Sequence, residues 1–152
     1  MTPADFIAAI APAAQAAMRE TKVPASVTIA QAALESGWGA HAPGHNLFGI
    51  KADASWIAPV TTKKTHEVVN GKTIIIEAKF RAYPDWLGSI EDHARFLVEN
   101  PRYASAFEHC DDGEDFAWAI ARAGYATDPD YASKLISIIR AHTLLALDTA
   151  GN

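Results

Sequence analysis

The chain has 152 residues, 49% of them hydrophobic and 20% charged, with a formal net charge of −5 at pH 7. That length supports one domain with a real core, expected over residues 1–152, and is short for two. The acidic balance argues against non-specific attraction to nucleic acid or to an anionic membrane surface.

A single cysteine, Cys110, cannot close an internal disulfide, so stability does not call for an oxidising compartment. Thirty-one alanines, set against one short β-branched stretch, favour a mainly helical fold. The amino terminus, Met1-Thr2-Pro3-Ala4-Asp5, has neither the basic nor the apolar part of an export signal, and no run approaches bilayer-spanning length. The expectation is a soluble chain with no membrane contact.

Thr2 can cap a helix with Pro3 in its first position and Asp5 completing a capping-box-like pattern. Phe6, Ile7, Ile10, Ala13, Ala14, Ala17 and Met18 then follow helical spacing. Pro24 restarts a helix that runs through Val27, Ala30, Ala33 and Leu34 to Glu35 and is stopped by Gly37. A carboxylate in a final helical turn faces unpaired carbonyls, and burial against Leu34 and Trp38 adds to the penalty on its charged form. Both effects favour a neutral acid able to donate a proton near neutral pH, as glycosidic cleavage requires.

From Trp38 to Pro59 the chain is rich in glycine and proline without periodicity, which reads as a long ordered loop. Loops of that length inside a compact domain tend to be functional. His41 and His45 stand four apart, but Pro43 and Gly44 lie between them and no third ligand is apparent, so no metal is expected.

The one strong hairpin signal is Thr65-His66-Glu67-Val68-Val69, then Asn70-Gly71, then Lys72-Thr73-Ile74-Ile75-Ile76. A two-residue turn pairs Glu67 with Ile74 and His66 with Ile75, placing Glu67 on one face with Thr65, Val69 and Ile74. A carboxylate on that face makes Glu67 a second acid to set against Glu35.

Asp85 or Ser89 can start the next helix, which Pro101 ends, and a shorter helix is expected around Tyr103 to Glu108. Asp111, Asp112, Glu114 and Asp115 lack the spacing of a calcium loop and read as helix-start acids for a segment over Phe116 to Ala123. Asp128-Pro129 reads as a cap and first helical residue for a final amphipathic helix, and Asp148 to Asn152 are expected to fray. The order of helices, loop, hairpin and helices indicates an α+β fold, mainly helical, with a small β-lobe over a helical body and a groove between them suited to an extended polymer.

Three motifs in one order carry a resemblance. Ala33-Leu34-Glu35-Ser36-Gly37-Trp38-Gly39, Asn46-Leu47-Phe48-Gly49-Ile50-Lys51, and Gly124-Tyr125-Ala126-Thr127-Asp128-Pro129-Asp130-Tyr131-Ala132-Ser133-Lys134-Leu135 together resemble the peptidoglycan-hydrolysing glucosaminidases of glycoside hydrolase family 73. The likeness runs from about residue 4 to residue 145. It implies a lysozyme-like helical fold with a β-lobe, and cleavage of the β-1,4 link after N-acetylglucosamine in murein glycan strands. The family's general acid maps onto Glu35, its β-lobe carboxylate onto Glu67, and its motif tyrosine onto Tyr125. Asn46 and Phe48 resemble the loop residues beside the acid, Trp38 offers a flat face for a sugar ring, and Asp128 is expected to contact substrate.

The resemblance implies no cofactor and an enzyme that acts as a monomer. A signal-less wall hydrolase resembles a phage lysis protein acting on murein in the periplasm or cell wall, although an excised catalytic domain would look the same. Two alternatives stay open at this point. One is a muramidase or lytic transglycosylase on the same polymer, against which the absence of a Gly-Leu-Met-Gln type segment counts. The other is a non-catalytic murein-binding module.

Overall fold

The computed structural model describes residues 1–149. Helix α1 spans Pro3–Thr21, and Thr2 caps it as its spacing predicts, its Oγ1 accepting from the Asp5 N–H at 3.1 Å. Helix α2, Ala25–Ser36, is the most enclosed element, with every residue from Ala25 to Ala33 buried. Its many small side chains let α1 and later helices pack close around it. Such a helix, covered on all sides, belongs at the centre of a fold.

Pro24 precedes α2 without a side-chain cap, and the cap comes from the far end of the chain. Asp148, in the short helix α6 (Ala146–Thr149), accepts from the Ser26 N–H at 2.7 Å and from the Ser26 hydroxyl at 2.6 Å. The expectation that the chain frays from Asp148 onward is therefore corrected at Asp148, because an anion at a helix N-terminus satisfies donors that would otherwise lack partners. Residues 150–152 lie outside the described residues.

The hairpin consists of β1 (Val60–Val69) and β2 (Lys72–Arg81), antiparallel, with Glu67 opposite Ile74 and His66 opposite Ile75 as expected. Asn70 and Gly71 both take positive φ, 51° and 76°, which is the turn that matches strand twist. Burial on the β2 side chains rises from the tip to the base: Ile74 is 40% exposed and Phe80 only 7%. The hairpin thus rests on the body by its base and holds its tip in solvent.

Helix α3 (Trp86–Glu99) starts at Asp85, whose Oδ1 accepts from the Gly88 N–H at 2.9 Å. Where a short helix is expected around Tyr103, the chain forms a 3-10 segment, Pro101–His109. Helix α4 spans Gly113–Arg122, and Asp112 caps it by accepting from Glu114 and Asp115, so these acids do open a helix.

Helix α5 spans Tyr131–Ala141 and begins later than Asp128-Pro129 suggests. Asp128 closes a turn by accepting from the Asp130 N–H at 2.8 Å, and the helix starts only beyond it. Phe6, Ile10, Ile29, Leu47, Leu97, Phe116, Leu135 and Ile139 from these elements meet in one core. The result is the expected α+β architecture, a helical body with a two-stranded lobe and a cleft beside it. No helix among the described residues is long and apolar enough to cross a membrane.

Candidate active site

Glu35 is the penultimate residue of α2, and Gly37 ends the helix in the left-handed region at φ 58°. The helix therefore delivers Glu35 to the end of a buried rod. The side chain opens into a cleft of about 400 Å³ whose walls include Phe48, Gly49, Asp53, Arg102, Tyr103 and Tyr125. It also borders a smaller pocket under the hairpin base, lined by His41, Thr61, Lys63 and Phe80. Glu35 is thus where the helical body, the 38–59 loop and the hairpin meet.

The residue is open to solvent through the cleft, yet its walls raise the carboxyl pKa above the ordinary glutamate value. Removal of water by those walls is the largest cause, and it outweighs a hydrogen bond from Tyr131 and the charge of Lys63, which both act the other way. Beside Glu35, Gly49 takes φ +66°, a left-handed backbone that favours glycine. A raised, cleft-facing carboxyl of this kind is suited to giving up a proton to a leaving oxygen.

Tyr125 lies on the same cleft wall, and its ring stacks on that of Tyr131 at 5.7 Å with a 12° interplanar angle. Burial, first, and then the neighbouring Tyr131 and Glu35 hold its pKa well above the ordinary tyrosine value, so it remains a neutral hydroxyl donor.

The other expected site residues divide. Phe48 borders the cleft but is 2% exposed, because it stacks on His93 at 3.8 Å and 12°. Asn46 is 5% exposed and spent on the backbone: its Nδ2 donates to the carbonyls of Ile50 and Arg81, each at 2.9 Å, and its Oδ1 accepts from Phe48 and Ile50. Asn46 therefore staples the loop to the hairpin base, and it also borders the smaller pocket beside Glu35.

Trp38 is not among the residues that line the cleft. Its ring packs edge-on against Phe6 at 6.0 Å and His142 at 4.9 Å, with its backbone in the left-handed region at φ 58°. Asp128 pairs with Lys134 and closes its turn, and it is not among the residues that line the cleft.

Glu67 is exposed on β1 and is not among the cleft-lining residues. It shares a strand face with Thr61 and Lys63, which do border Glu35, but it lies four residues beyond Lys63, roughly 13 Å along the strand. The structure thus brings Glu35 and Tyr125 together and leaves Glu67 out on the hairpin arm.

Sequence reasoning missed three features. Asp53 places a second carboxylate on the cleft wall, held below the usual range mainly by hydrogen bonds from Ser55. Arg81 ties the loop and the hairpin to α3: its Nη1 reaches Asp92 at 2.9 Å while its guanidinium lies 4.7 Å over the Trp56 ring. Gln31, His93 and Tyr131 form a buried polar chain ending at Glu35. Its one local signal is the spacing of Gln31 and Glu35, one turn apart on an otherwise small and apolar helix.

Among the described residues no cluster of three or more His, Cys, Asp or Glu side chains could hold a metal ion.

The family model described as glucosaminidase, mannosyl-glycoprotein endo-beta-N-acetylglucosaminidase, matches residues 11–144. The chain is 44% identical over 143 residues to the peptidoglycan hydrolase FlgJ of Salmonella typhimurium, covering 90% of this chain and 45% of that protein. It is 37% identical over 147 residues to the exo-glucosaminidase LytG of Bacillus subtilis, covering 91% of this chain and 51% of that one. The chain thus spans about half the length of these relatives.

Among solved structures it is similar to the C-terminally truncated glycoside hydrolase domain of Salmonella typhimurium FlgJ, with a TM-score of 0.78, 42% identity and coverage of 93% and 98%. The catalytic domain of the autolysin Auto from Listeria monocytogenes matches with a TM-score of 0.83 at 35% identity, covering 96% of this chain and 87% of that one.

Proposed function

This chain belongs to the glucosaminidase family of glycoside hydrolases, and we propose that it hydrolyses the β-1,4 link between N-acetylglucosamine and N-acetylmuramic acid in murein, with Glu35 as the general acid. The observation that carries this reading is a carboxyl with a raised pKa at a helix end, open to a cleft beside Tyr125. Glu35 gives its proton to the glycosidic oxygen as the bond from the anomeric carbon breaks, and positive charge builds on the sugar ring. Tyr125, a neutral donor on the same wall, orients the sugar's polar groups or the attacking water. The site of action on this reading is the cell wall. One chain is the active unit, since Glu35, Tyr125 and Tyr131 all belong to it.

Glu67 is the second carboxylate of this proposal. Its support is the strand face it shares with Thr61 and Lys63, so a hairpin bent down over bound glycan would carry Glu67 toward the cleft. There it would take a proton from water attacking the anomeric carbon, and the product would be inverted. A second reading is favoured by the exposure of Glu67 far along β1. On it the substrate's 2-acetamido oxygen attacks the anomeric carbon, water then opens the cyclic intermediate with Glu35 as base, and configuration is retained.

Murein digested by the wild-type protein and by Glu35→Gln tests the main claim. Mass spectrometry is expected to find reducing N-acetylglucosamine ends with the wild type and none with Glu35→Gln. Anhydromuramic ends, or wild-type turnover by Glu35→Gln, would overturn it. NMR of the first-formed anomer, with Glu67→Gln assayed in parallel, decides between the two routes: inversion and an inactive variant select Glu67, whereas retention and an active variant select the acetamido group.

A further inference from the structure

His93, on α3, is fully buried, and burial holds its pKa down to about 3, so its ring is neutral. Its Nε2 lies 2.8 Å from Gln31 Oε1. The amide Nε2 of Gln31 donates to the Tyr131 hydroxyl at 3.0 Å, and that hydroxyl sits beside the Glu35 carboxyl, whose pKa it lowers. Three helices, α3, α2 and α5, thus contribute one link each to a chain that ends on the acid.

The direction of this chain follows from the one polar atom it leaves over. Among the described residues, His93 Nδ1 is buried with no hydrogen-bond partner. A neutral imidazole has one N–H and one bare lone pair, and a buried N–H without an acceptor is costlier and rarer than a buried lone pair without a donor. The proton therefore sits on Nε2, and His93 donates to Gln31 Oε1. That fixes the amide so that its NH₂ faces Tyr131, and the phenol, already accepting, turns its own hydrogen to Glu35. Phe48 stacked on the ring at 3.8 Å keeps the imidazole from rotating.

We infer that His93, Gln31 and Tyr131 are positioning residues, a one-way hydrogen-bond relay that fixes which Glu35 oxygen carries the acidic proton. The oxygen that accepts from Tyr131 serves as the carbonyl oxygen of the neutral acid, so the proton is confined to the other oxygen. This inference rests on Glu35 being the general acid.

The relay also favours the ionised form of Glu35, since the Tyr131 hydrogen bond works against the desolvation that raises its pKa. The other titratable groups facing Glu35 are Lys63 on β1, His41 on the loop and Tyr125 before α5. Lys51, Asp53, Arg81 and Arg102 line the same cleft. The variants below leave all of these in place.

The test uses Tyr131→Phe and Gln31→Met in the full chain, read by pH profiles of murein hydrolysis, the split between kcat and KM, melting temperature, and carboxyl NMR titration of Glu35. Tyr131→Phe is expected to move the alkaline limb of activity and the NMR titration of Glu35 upward by about one pH unit, the size of one charge-assisted hydrogen bond. It is also expected to lower kcat roughly tenfold with KM little changed, since proton transfer, not sugar binding, loses its geometry. Gln31→Met shifts both in the same direction by less.

An unmoved Glu35 titration and wild-type kcat in both variants, with Glu35→Gln inactive, would overturn the relay and leave the general acid standing. Activity in Glu35→Gln would instead remove the functional reading itself. The NMR titration needs only folded protein, and either variant alone decides if the other fails to fold.

Discussion

Tyr131, the first residue of α5, sits beside Glu35, the penultimate residue of α2, and holds its carboxyl pKa down against burial. The proposed acid is therefore held in place only when two helices distant in sequence are docked. The stability of the body and the chemistry of the cleft are linked through that contact, and the consequences can be measured.

Glu35→Gln should both abolish catalysis and stabilise the fold above the Glu35 pKa. The folded pKa is raised, so the wild type keeps its full stability below the unfolded value and loses some as pH rises through the folded value. The neutral amide carries no such penalty. Melting temperatures of the two proteins should coincide in acid and diverge toward neutral and alkaline pH with the variant higher, while murein turnover falls by roughly two orders of magnitude or more.

His93 has the opposite sign. Its folded pKa is lowered to about 3, so its contribution is complete above the unfolded histidine value and is lost as pH falls toward the folded one. Denaturant melts between pH 6.5 and 4 should show a loss on the order of 1 kcal/mol per pH unit from this group. His93→Gln, which keeps a donor toward Gln31, should flatten that slope.

The cap contributed by Asp148 should be worth about 1 kcal/mol in Asp148→Ala, with the pH optimum of hydrolysis unchanged, because Ser26 lies at the end of α2 remote from Glu35. Gly113→Ala should cost more, roughly 1 to 3 kcal/mol, since the added Cβ would fall 2.3 Å from Ser26 Oγ and 3.0 Å from Asp148 Oδ2. Chemical denaturation of the two variants checks the order.

Trp38→Ala should lower stability by about 2 kcal/mol through lost packing on Phe6 and His142, with little change in KM for murein. A large rise in KM with unchanged melting temperature would return Trp38 to the sugar-binding role expected from its motif.

Asp53→Asn should lower kcat more than it raises KM, if its ionised carboxylate on the cleft wall steadies positive charge building on the sugar. Steady-state assays on murein fragments separate that outcome from a simple binding effect, in which KM alone rises.

The local features of this protein were decided by residues close in sequence. The Thr2 cap, the Gly37 stop that leaves Glu35 in the last turn of α2, and the Asn70-Gly71 turn with its register each depend on backbone dihedrals and near neighbours, so one short stretch suffices to set them. Composition and the order of elements were likewise enough for a helical body with a hairpin lobe. Packing between distant segments decided the rest. Asn46, Phe48 and Trp38 carry side chains able to meet a sugar, and it is the fold that gives them their backbone and ring partners and sets Phe48 and Asn46, but not Trp38, along the pockets beside Glu35. His93, Gln31 and Tyr131 show no relation along the chain, and only the docking of α3, α2 and α5 aligns them, because a hydrogen bond demands a separation near 3 Å that no sequence spacing between separate helices can specify.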